Sequence, residues 1–287
     1  MNIVFMGTPE FSLPTLHKLY ESDHDVLLVV TQPDRPKGRG RESTPPPVKQ
    51  FALEKKIPVL QPIKCTNLEI VKTLGALNAD VFIVVAFGQI LDENLLALPH
   101  HFCINLHSSL LPKYRGAAPI NWAIINGETE TGVTTMKMNA GLDTGDILLS
   151  RKVPIRNKDN AQSLHDTLAH QGSSLVMETL NQLDSGSLEA TSQNSDLASY
   201  APKLKKEDGL IKWNQPAVKI HNLVRGLMPW PGAFSFLRSK RFKICKTETK
   251  SCDLTDQPGV ILRISGHGIE VGTQNERIVI TELQPEG

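Results

Sequence analysis

"DVFIVVAF" occupies residues 80–87, and its central residues Val81–Val85 are apolar on both faces of an extended chain. A strand that is covered on both faces is typical of the centre of a parallel sheet with helices on each side. The run is also far shorter than the roughly 20 residues that a membrane-spanning helix needs. This stretch therefore predicts an α/β fold built around a central parallel strand.

The sequence around this strand alternates β-branched runs with segments of helical period through the first 150 residues. Other strands are predicted at Asn2–Met6, Asp25–Thr31, Phe102–Leu106, Gly132–Met138 and Asp146–Ser150. Helices are predicted at Pro14–Ser22, Pro47–Lys55, Leu68–Leu77 and Pro119–Asn126, followed by one or two helices over Asn160–Gly186 with a possible break at Gly172. This alternation indicates βαβ units and a mostly parallel sheet.

The last third of the chain has a different pattern. Ser187–Leu204 is rich in Ser, Ala, Thr and Asn and has little periodicity, which is typical of a linker. From Gly209 onward, short β-like runs such as "LIKW" (residues 210–213) are separated by Gly and Pro, which indicates a small all-β barrel or sandwich. We therefore predict a first domain over residues 1–189, a linker over 190–208 and a second domain over 209–287.

The charge is unevenly distributed along the 287 residues. The net charge is +1, but residues 1–200 contain 17 basic and 21 acidic side chains, whereas residues 201–250 contain 12 basic and 3 acidic ones. A basic block of this kind suggests a surface that faces a polyanion, although a solvated Lys-rich face explains the charge equally well. The hydrophobic fraction of 40% excludes intrinsic disorder as the general state of the chain.

The cysteines and the N-terminus both indicate a cytoplasmic protein. Cys65, Cys103, Cys245 and Cys252 show no CxxC pair or other metal-ligand spacing, so reduced thiols are expected. Met1 leads directly into "NIVFM", without the charged and apolar regions of a signal peptide.

Chemistry-bearing residues cluster where a predicted strand ends. Asn105 and His107 are two residues apart, so on an extended chain they point to the same side, at the carboxyl end of the strand. Asp143 lies between glycines in "GLDTGDILL" (residues 141–149), a turn that can present a carboxylate inward. Each feature alone has an ordinary structural explanation, either a packed histidine or a turn aspartate, and Asp146 is a competitor for the acidic position.

Together, an amide, an imidazole and a carboxylate suit the attack of an external amine on a carbonyl carbon. Asn105 and His107 can donate hydrogen bonds to the developing oxyanion, and one such donor is worth about 10²–10³ in rate. Asp143 can orient His107 and, through water, remove the amine proton, a general-base effect of about 10²–10⁴. Ser108 and Ser109 are poor nucleophile candidates because no GxSxG element is present. No His/Cys cluster suggests a metal.

Long motifs over nearly the whole chain resemble the folate-dependent formyltransferases, and among them the members that act on methionine attached to tRNA. The motifs are "FMGTPEFS" (5–12), "TQPDRPKGRGR" (31–41), "VVAFGQIL" (84–91), "NLHSSLLPKYRGAAP" (105–119), "TGVTTMKMNAGLDTGDIL" (131–148), "YAPKLKKEDGLIKW" (200–213), "RGLMPWPGAF" (225–234) and "ELQPEG" (282–287). Members of this family usually continue beyond the last motif with a short basic segment.

The resemblance implies a Rossmann-like formyltransferase domain with a mostly parallel sheet, followed by a small OB-like β-barrel domain that binds tRNA. The implied reaction transfers a formyl group from 10-formyltetrahydrofolate to the amino group of methionyl initiator tRNA, for translation initiation. The implied protein is a cytoplasmic monomer that requires no metal and has no membrane association.

The resemblance also implies roles for individual residues. The catalytic residues would be Asn105, His107 and Asp143. Two segments would contact the folate, namely Phe87, Gly88, Gln89 and Ile90 beside the pterin, and Ser109, Leu110, Leu111 and Pro112 along the folate site. Contacts to tRNA would come from Arg35, Lys37, Arg39 and Arg41 in a basic loop, and from Lys203, Lys205, Lys206, Arg238, Lys240, Arg241 and Lys243 in the second domain. Trp230 is either a stacking platform for a base or a packing anchor.

Three other functions use the same residues. The acceptor could be a small amine such as glycinamide ribonucleotide or an amino-sugar nucleotide, although neither needs a basic loop and a basic domain. A hydrolase that releases formate is compatible with the same site. A non-catalytic RNA-binding protein would make the combination of Asn105, His107 and Asp143 accidental. An oxidoreductase is disfavoured because the first strand-to-helix turn lacks GxGxxG.

Overall fold

The computed structural model describes residues 1–37, 42–252 and 256–285, apart from the side chains of Lys37 and Glu42. The chain forms two compact units that are interleaved along the sequence. The first unit comprises residues 1–115, 132–153 and 166–199, and the second comprises residues 116–131, 154–165 and 200–287. The domain boundaries predicted at residues 189 and 209 stay a prediction, since these units divide the chain in another way.

The described residues contain the following elements. The strands are β1 (Asn2–Gly7), β2 (Asp25–Val30), β3 (Arg35–Lys37), β4 (Glu42–Thr44), β5 (Val59–Leu60), β6 (Val81–Val85), β7 (Phe102–His107), β8 (Arg115–Gly116), β9 (Glu130–Lys137), β10 (Ile147–Pro154), β11 (Tyr200–Ala201), β12 (Ala233–Leu237), β13 (Lys240–Lys250), β14 (Ile261–Ser265), β15 (Gly268–Gly272) and β16 (Arg277–Pro285). The helices are α1 (Leu13–Tyr20), α2 (Pro47–Glu54), α3 (Leu68–Gly75), α4 (Glu93–Leu96), α5 (Pro119–Ile125), α6 (Ala161–Asp184) and α7 (Ala217–Gly226).

The first unit is built on a seven-stranded sheet with the order β10-β9-β7-β6-β1-β2-β5. β1, β2, β5, β6 and β7 are mutually parallel, and β9 runs antiparallel to β7. The apolar run Val81–Val85 is β6, lies between β1 and β7, and is buried along its length. The predicted Rossmann-like domain with a mostly parallel sheet is confirmed.

Helix α6 packs directly on the sheet, and a glycine makes this possible. It runs without interruption through Gly172, so the possible break at that residue was a wrong prediction. A Cβ on Gly172 would lie 2.6 Å from a Cδ atom of Leu106 in β7, so the glycine allows the close approach of helix and strand. Helix α6 ends at Asp184, and Gly186 follows with a φ of 71°, in the left-handed region that favours glycine.

The second unit contains a five-stranded antiparallel sheet with the order β12-β13-β16-β15-β14. Its inner face packs on a core that includes Ile220 and Val224 of α7, and Ile244 and Ile278 of the sheet. This arrangement agrees with the predicted small barrel-like domain. Two details differ from the prediction: "LIKW" forms a bridge at Leu210 rather than a strand, and α7 was not anticipated.

The described part of the chain contains no helix that combines the length and the apolar character needed to span a membrane. The four cysteines all lie within that part and are free thiols, and burial raises the pKa of Cys103 to about 12.

Candidate active site

The candidate site lies at the carboxyl edge of the parallel strands. Because β1, β6 and β7 are parallel neighbours, the residues that follow β1 and β6 meet the last residues of β7 at this edge. Two hydrogen bonds join the segment that follows β1 to the end of β6 and the residues after it. Ser12 Oγ donates to the Val85 carbonyl (2.6 Å), and Thr8 Oγ1 donates to the Phe87 carbonyl (2.9 Å). In open α/β sheets this edge is where ligands bind.

Asn105, His107 and Asp143 lie together at this edge, as the sequence predicted. Asn105 Nδ2 is 3.5 Å from one carboxylate oxygen of Asp143, and His107 Nδ1 is 3.7 Å from the other. The side chains of His107 and Asp143 are 7% and 14% exposed. One carboxylate therefore faces an amide donor and an imidazole in a largely desolvated environment, where charge interactions are stronger than in water.

The two ring nitrogens of His107 have different partners. Nε2 lies 2.9 Å from the backbone carbonyl oxygen of Tyr114, which can only accept a hydrogen bond, so Nε2 carries a proton. In the neutral ring, Nδ1 is then a lone-pair nitrogen that faces Asp143. Nδ1 becomes a donor only when the ring is an imidazolium.

The loop that carries Asp143 has a constrained backbone. Asp143 itself has a φ of 52°, in the left-handed region. A Cβ on Gly145 would collide with the carbonyl group of Lys137, so this position requires glycine. The predicted role of the bracketing glycines, a tight turn that directs the carboxylate inward, matches this geometry.

Gln193 holds the Asp143 loop from the other side. Its Nε2 donates to the carbonyl oxygens of Asp143 (2.9 Å) and Gly145 (2.7 Å). Its Oε1 accepts two hydrogen bonds from Arg115, one from Nε (3.1 Å) and one from Nη2 (2.8 Å). Arg115 is only 3% exposed, so this guanidinium is buried against the glutamine amide.

The predicted folate segment at residues 109–112 forms a tight loop after β7. Ser109 is buried, and its Oγ donates to the Lys113 carbonyl (2.6 Å), so its hydroxyl serves the loop. Thr134 Oγ1 donates to the Ser109 carbonyl (2.7 Å) and accepts from the Leu111 amide (3.3 Å). Leu111 is buried and is joined to Pro112 by a cis peptide bond.

Leu110 of this loop is half-buried and packs over Gly132 of β9, where a Cβ would lie 2.5 Å from a Cδ atom of the leucine. The loop is therefore fixed to the neighbouring strand by an apolar contact as well as by Thr134.

The second predicted folate segment, residues 87–90, divides into anchored and exposed positions. Phe87 is buried, and the Gln89 amide is fully engaged, since its Oε1 accepts from the Cys65 amide (2.8 Å) and its Nε2 donates to the Pro62 carbonyl (2.9 Å). Gly88 is exposed with a φ of 83°, and Ile90 is 84% exposed. Gly88 and Ile90 are the members of this segment that a ligand can reach.

The base of the predicted basic loop is anchored to the same edge. Arg35 Nη2 donates to Gln32 Oε1 (3.1 Å), and Gln32 Nε2 donates to the Phe87 carbonyl (3.3 Å). A hydrogen bond from Gln61 and the ammonium group of Lys49 together hold the pKa of Asp34 below its ordinary value. The remaining predicted contacts of the loop, the Lys37 side chain with Arg39 and Arg41, lie outside the described residues.

The predicted basic residues of the second unit are at its surface. Lys203, Lys205, Lys206, Arg238 and Lys240 are exposed, whereas Arg241 and Lys243 are half-buried. Arg238 and Ser239 form the turn between β12 and β13, with φ values of 48° and 65°.

Aromatic and basic side chains share one face of this hairpin. Phe236 is paired with Arg241, and Phe234 with Lys243, so these side chains lie on the face opposite the core. The Arg241 guanidinium lies over the Phe234 ring at 3.9 Å from its centroid. Phe236 is 56% exposed, and Trp230 is 53% exposed, which excludes a fully packed anchor role for Trp230.

Several residues that shape the site were missed at the sequence level: Tyr114, Arg115, Thr134, Gln193 and Ser199. Tyr114 and Arg115 belong to the motif at residues 105–119, but their spacing in the sequence does not predict a contact to His107 or to a loop far along the chain. Within the described residues, no group of three or more His, Cys, Asp or Glu side chains could hold a metal ion.

Two family descriptions match the chain, with no overlap between them. Residues 1–180 match the family described as "Formyl transferase", and residues 203–287 match "Formyl transferase, C-terminal domain".

Similar proteins cover the whole chain. The methionyl-tRNA formyltransferase of Geobacter sulfurreducens is 54% identical over 287 residues, which is all of this chain and 90% of that protein. The methionyl-tRNA formyltransferase of Caldanaerobacter subterraneus subsp. tengcongensis is 50% identical over 288 residues, covering all of this chain and 93% of that protein.

Solved structures share the fold at lower identity. WlaRD, a sugar 3N-formyl transferase whose crystals contained dTDP and 5-N-formyl-THF, superposes with a TM-score of 0.72 at 20% identity, covering 99% of this chain and 97% of its own. The N-formyltransferase from Helicobacter canadensis, in complex with folinic acid and dTDP-3-aminofucose, has a TM-score of 0.71 at 19% identity and covers 99% of both chains.

Proposed function

Because the chain belongs to the formyl transferase family, we propose that it is a methionyl-tRNA formyltransferase. It transfers a formyl group from 10-formyltetrahydrofolate to the α-amino group of methionine esterified to initiator tRNA, for translation initiation. The observation that carries this proposal is the convergence of Asn105, His107 and Asp143 at the carboxyl edge of the sheet. Relatives of that name that are about half identical over the whole chain support it.

The residues at the edge fit a folate. A flat heteroaromatic ring needs apolar walls with backbone polar groups beside them. Ile90 offers exposed apolar surface, Leu110 is half-buried, and Gly88 offers exposed backbone next to Ile90. When bound, the folate supplies the formyl carbonyl group that the amine attacks.

Asn105 and His107 stabilise negative charge on the formyl oxygen. Asn105 donates through Nδ2, and His107 donates through Nδ1 in its imidazolium form, because Nε2 is held by the Tyr114 carbonyl. Preorganised donors of this kind are usually the largest single contribution to acyl transfer. Asp143 Oδ2 lies 3.7 Å from His107 Nδ1.

Asp143 also takes part in removing a proton. The attacking amine must lose a proton as the new C–N bond forms, and a carboxylate can accept it through one water molecule. The bond between the formyl carbon and the folate nitrogen then breaks, and that nitrogen takes up a proton as tetrahydrofolate leaves. The left-handed backbone at Asp143 and the hydrogen bonds of Gln193 fix the direction of this carboxylate. A hydrogen-bond acceptor, an imidazolium donor and an amide donor then surround the reacting carbon.

The acceptor is a charged tRNA because basic residues recur at two surfaces. Arg35 leads into the basic loop from the carboxyl edge, and exposed Arg238 and Lys240 stand at the tip of the β12–β13 hairpin. Cations at such positions contact phosphates, and Phe236 and Trp230 are available to stack on bases. Small amine acceptors would need neither surface.

The finer parts of the proposal concern organisation and location. Residues 1–189 form the catalytic domain, residues 190–208 the linker and residues 209–287 the tRNA-binding domain. The protein acts in the cytoplasm, where initiator tRNA is charged, and as a monomer.

A product assay tests this function. The protein is incubated with 10-formyltetrahydrofolate and either methionylated or uncharged initiator tRNA, and formylmethionyl ester and free formate are both measured. Formylmethionyl product from the charged tRNA alone is expected. Formate release without transfer would instead indicate a hydrolase, and salt-sensitive tRNA binding without either product would indicate a binding protein.

A further inference from the structure

We propose that residues 193–199, called here the brace, position the catalytic side chains Asp143 and His107. This inference rests on the proposed function, since it assigns positioning residues to the same site. The sequence pattern of this segment is that of a linker, but its two ends make specific contacts to the site. Gln193 holds the loop of Asp143, and Ser199 holds the residue that orients His107.

The first contact fixes the backbone on which Asp143 stands. A single amide group, Nε2 of Gln193, bonds the carbonyl oxygens of Asp143 and Gly145, on both sides of Thr144. Both protons of the amide are thereby used, so the loop is clamped at two points. The left-handed φ of Asp143 is a conformation that an isolated loop would leave readily, and the clamp opposes that change.

The orientation of the Gln193 amide is itself determined by Arg115. A guanidinium has only donors, so the atom of Gln193 that faces Arg115 Nε and Nη2 must be the oxygen. This contact forces the NH₂ group toward the Asp143 loop. Arg115 is buried at 3% exposure, where a hydrogen-bonded charge is held firmly in place.

The second contact reaches His107 through Tyr114. Ser199 Oγ accepts a hydrogen bond from the Tyr114 amide (2.9 Å), and the Ser199 carbonyl accepts one from the Arg115 amide (2.8 Å). Tyr114 has a φ of 61°, and its carbonyl oxygen accepts the proton on His107 Nε2 (2.9 Å). Ser199 therefore supports the carbonyl that determines which nitrogen of His107 faces Asp143.

Both side-chain contacts have a role in catalysis rather than in binding, because neither reaches the segments assigned to folate or tRNA. Ser199 does contact the folate segment through its backbone amide, which donates to the Pro112 carbonyl (3.4 Å), but a side-chain substitution retains that bond. Loss of the brace should lower kcat and leave the KM for each substrate nearly unchanged. A displacement of about 1 Å in a catalytic group can cost on the order of 10² in rate. We expect Gln193→Met to lower kcat by roughly 10- to 100-fold.

Gln193→Glu separates the proposed role from a structural one. The carboxylate retains the contact to Arg115 and adds an ion pair, but it cannot donate to the carbonyl groups of Asp143 and Gly145. If Gln193 serves only to satisfy buried Arg115, Gln193→Glu will be as active as the wild type. If Gln193 positions Asp143, this variant will lose at least as much kcat as Gln193→Met.

A matched control and a rescue complete the kinetic test. Gln171→Met removes an exposed glutamine of α6 in the same unit, which accepts a long hydrogen bond from Arg151 (3.5 Å), and should keep wild-type kcat. Ser199→Ala should lower kcat, and Ser199→Thr, which keeps a hydroxyl, should restore most of it. In an Asp143→Asn background the effect of Gln193→Met should shrink below about 2-fold.

Hydrogen exchange of the ligand-free protein tests the brace independently of activity. Amides of residues 139–146 should exchange faster in Gln193→Met than in the wild type and in Gln171→Met. If the wild type makes no formylmethionyl product, the proposed function fails while this exchange test still stands. Wild-type kcat in Gln193→Met, full activity in Gln193→Glu, or unchanged exchange over residues 139–146 would each overturn the brace.

Discussion

His107 has one ring nitrogen on a backbone carbonyl and the other toward Asp143, and this division determines what the ring can do. The nitrogen on Tyr114 is committed to structure, so only Nδ1 is available to a substrate. Nδ1 is a donor only while the ring is charged, and the Asp143 carboxylate is the charged group that faces it. The proposed catalytic role of His107 is therefore tied to the carboxylate of Asp143.

Asp143→Asn tests this dependence. The substitution keeps the shape of the side chain and removes its charge, so we expect kcat to fall by about 10²–10⁴ with little change in tRNA affinity. The measurement is single-turnover formyl transfer at saturating donor. Asp146→Asn is the control in the same loop, because Asp146 is bonded to Ser192 Oγ (3.0 Å) rather than to the site. Near-normal transfer by Asp143→Asn would remove the carboxylate from the mechanism.

Individual residues were predictable where local spacing carries the information. The i, i+2 pair Asn105 and His107 and the glycine-bracketed Asp143 were found from sequence, and the structure places Asn105 at 3.5 Å and His107 at 3.7 Å from the Asp143 carboxylate. Gln193 was not found, because its partners lie 48–78 residues away and a glutamine in a polar stretch has no local mark of burial or bonding. Their catalytic and positioning roles stay proposals.

At the scale of elements, the turn between β9 and β10 sets the position of the carboxylate. Gly141 and Gly145 lie on either side of Asp143, and a methyl group added at each of them would contact different atoms. At Gly145 the obstacle is the backbone carbonyl of Lys137, which cannot move without disturbing β9. At Gly141 the nearest atom is the hydroxyl of Thr144, which can rotate away.

The two glycines are therefore expected to respond differently to alanine. Gly145→Ala should lower kcat by about 10-fold or more, because the turn must shift to admit the methyl group. Gly141→Ala should cost less than about 3-fold, because a side chain rather than the backbone gives way. Steady-state kinetics together with circular dichroism would check the result. Equal losses in the two variants would show that the turn does not determine the position of Asp143.

Helix α7 is joined to β13 by a hydrogen bond between His221 Nδ1 and Thr247 Oγ1 (3.0 Å). Burial, with a smaller contribution from the adjacent Arg225, holds the pKa of His221 below its ordinary value of 6.5. The folded state therefore keeps this ring neutral while the unfolded chain takes up a proton. Stability is lost as pH falls below about 6.5 toward the lower pKa of the folded state.

His221→Gln should reduce this pH dependence. The free energy of unfolding, measured by urea denaturation at pH 7.5 and pH 5.5, should differ less between the two conditions in the variant than in the wild type. His101→Gln, at an exposed histidine of the first unit, is the control and should keep the wild-type difference. A variant that keeps the full wild-type difference would rule out His221 as its source.

Elements were predictable where one hydrophobic period dominates. The apolar run of β6 was identified correctly as a strand. Helix α7 was missed because its polar positions and the surrounding short β-like runs obscured a 10-residue amphipathic pattern. The possible break at Gly172 did not occur. The glycine is needed there for close packing against Leu106, and its low helix propensity does not interrupt the helix.

At the scale of the whole molecule, the basic second unit is expected to contribute salt-dependent affinity for tRNA. The β12–β13 turn is formed by Arg238 and Ser239, two residues with side chains in a left-handed conformation that Asn or Gly would adopt more easily. An arginine in this left-handed conformation does not favour stability, whereas its exposed charge can contact a phosphate. The turn thus favours a role in binding over a role in folding.

Arg238→Asn separates a role of this residue in tRNA binding from a role in stability. The variant should be as stable as the wild type or more stable, by up to about 1 kcal/mol, because asparagine tolerates the left-handed region. It should bind initiator tRNA more weakly. The slope of log K against log salt should decrease in magnitude by about the amount that one phosphate contact contributes. Lys246→Ala is the control, since Lys246 is ion-paired with Glu282 (3.0 Å) on the same sheet. A slope equal to that of the wild type would exclude Arg238 from the interface.

The two-part organisation was predictable because composition and periodicity both change along the chain. The interleaving of the two units was not, because residues 116–131 and 154–165 have nothing in their sequence that separates them from the first 150 or so residues. The apolar periodicity of a helix such as α5 does not specify which of the two units the helix belongs to. Its contact with α7, through a hydrogen bond from Asn121 Nδ2 to the Gly226 carbonyl (2.8 Å), joins residues 105 positions apart.

The position of the brace in the chain has a consequence for how the enzyme is made. A ribosome releases Asn105, His107 and Asp143 well before Gln193, which follows Asp143 by 50 residues. Every strand of the seven-stranded sheet has also emerged by then, since β10 ends at Pro154. A nascent chain of 180 residues, or a protease fragment of that length, therefore contains the sheet and all three side chains but lacks both contacts that hold them. With the proposed role of the brace, the contacts that position the site are therefore made only after the whole sheet has been synthesised.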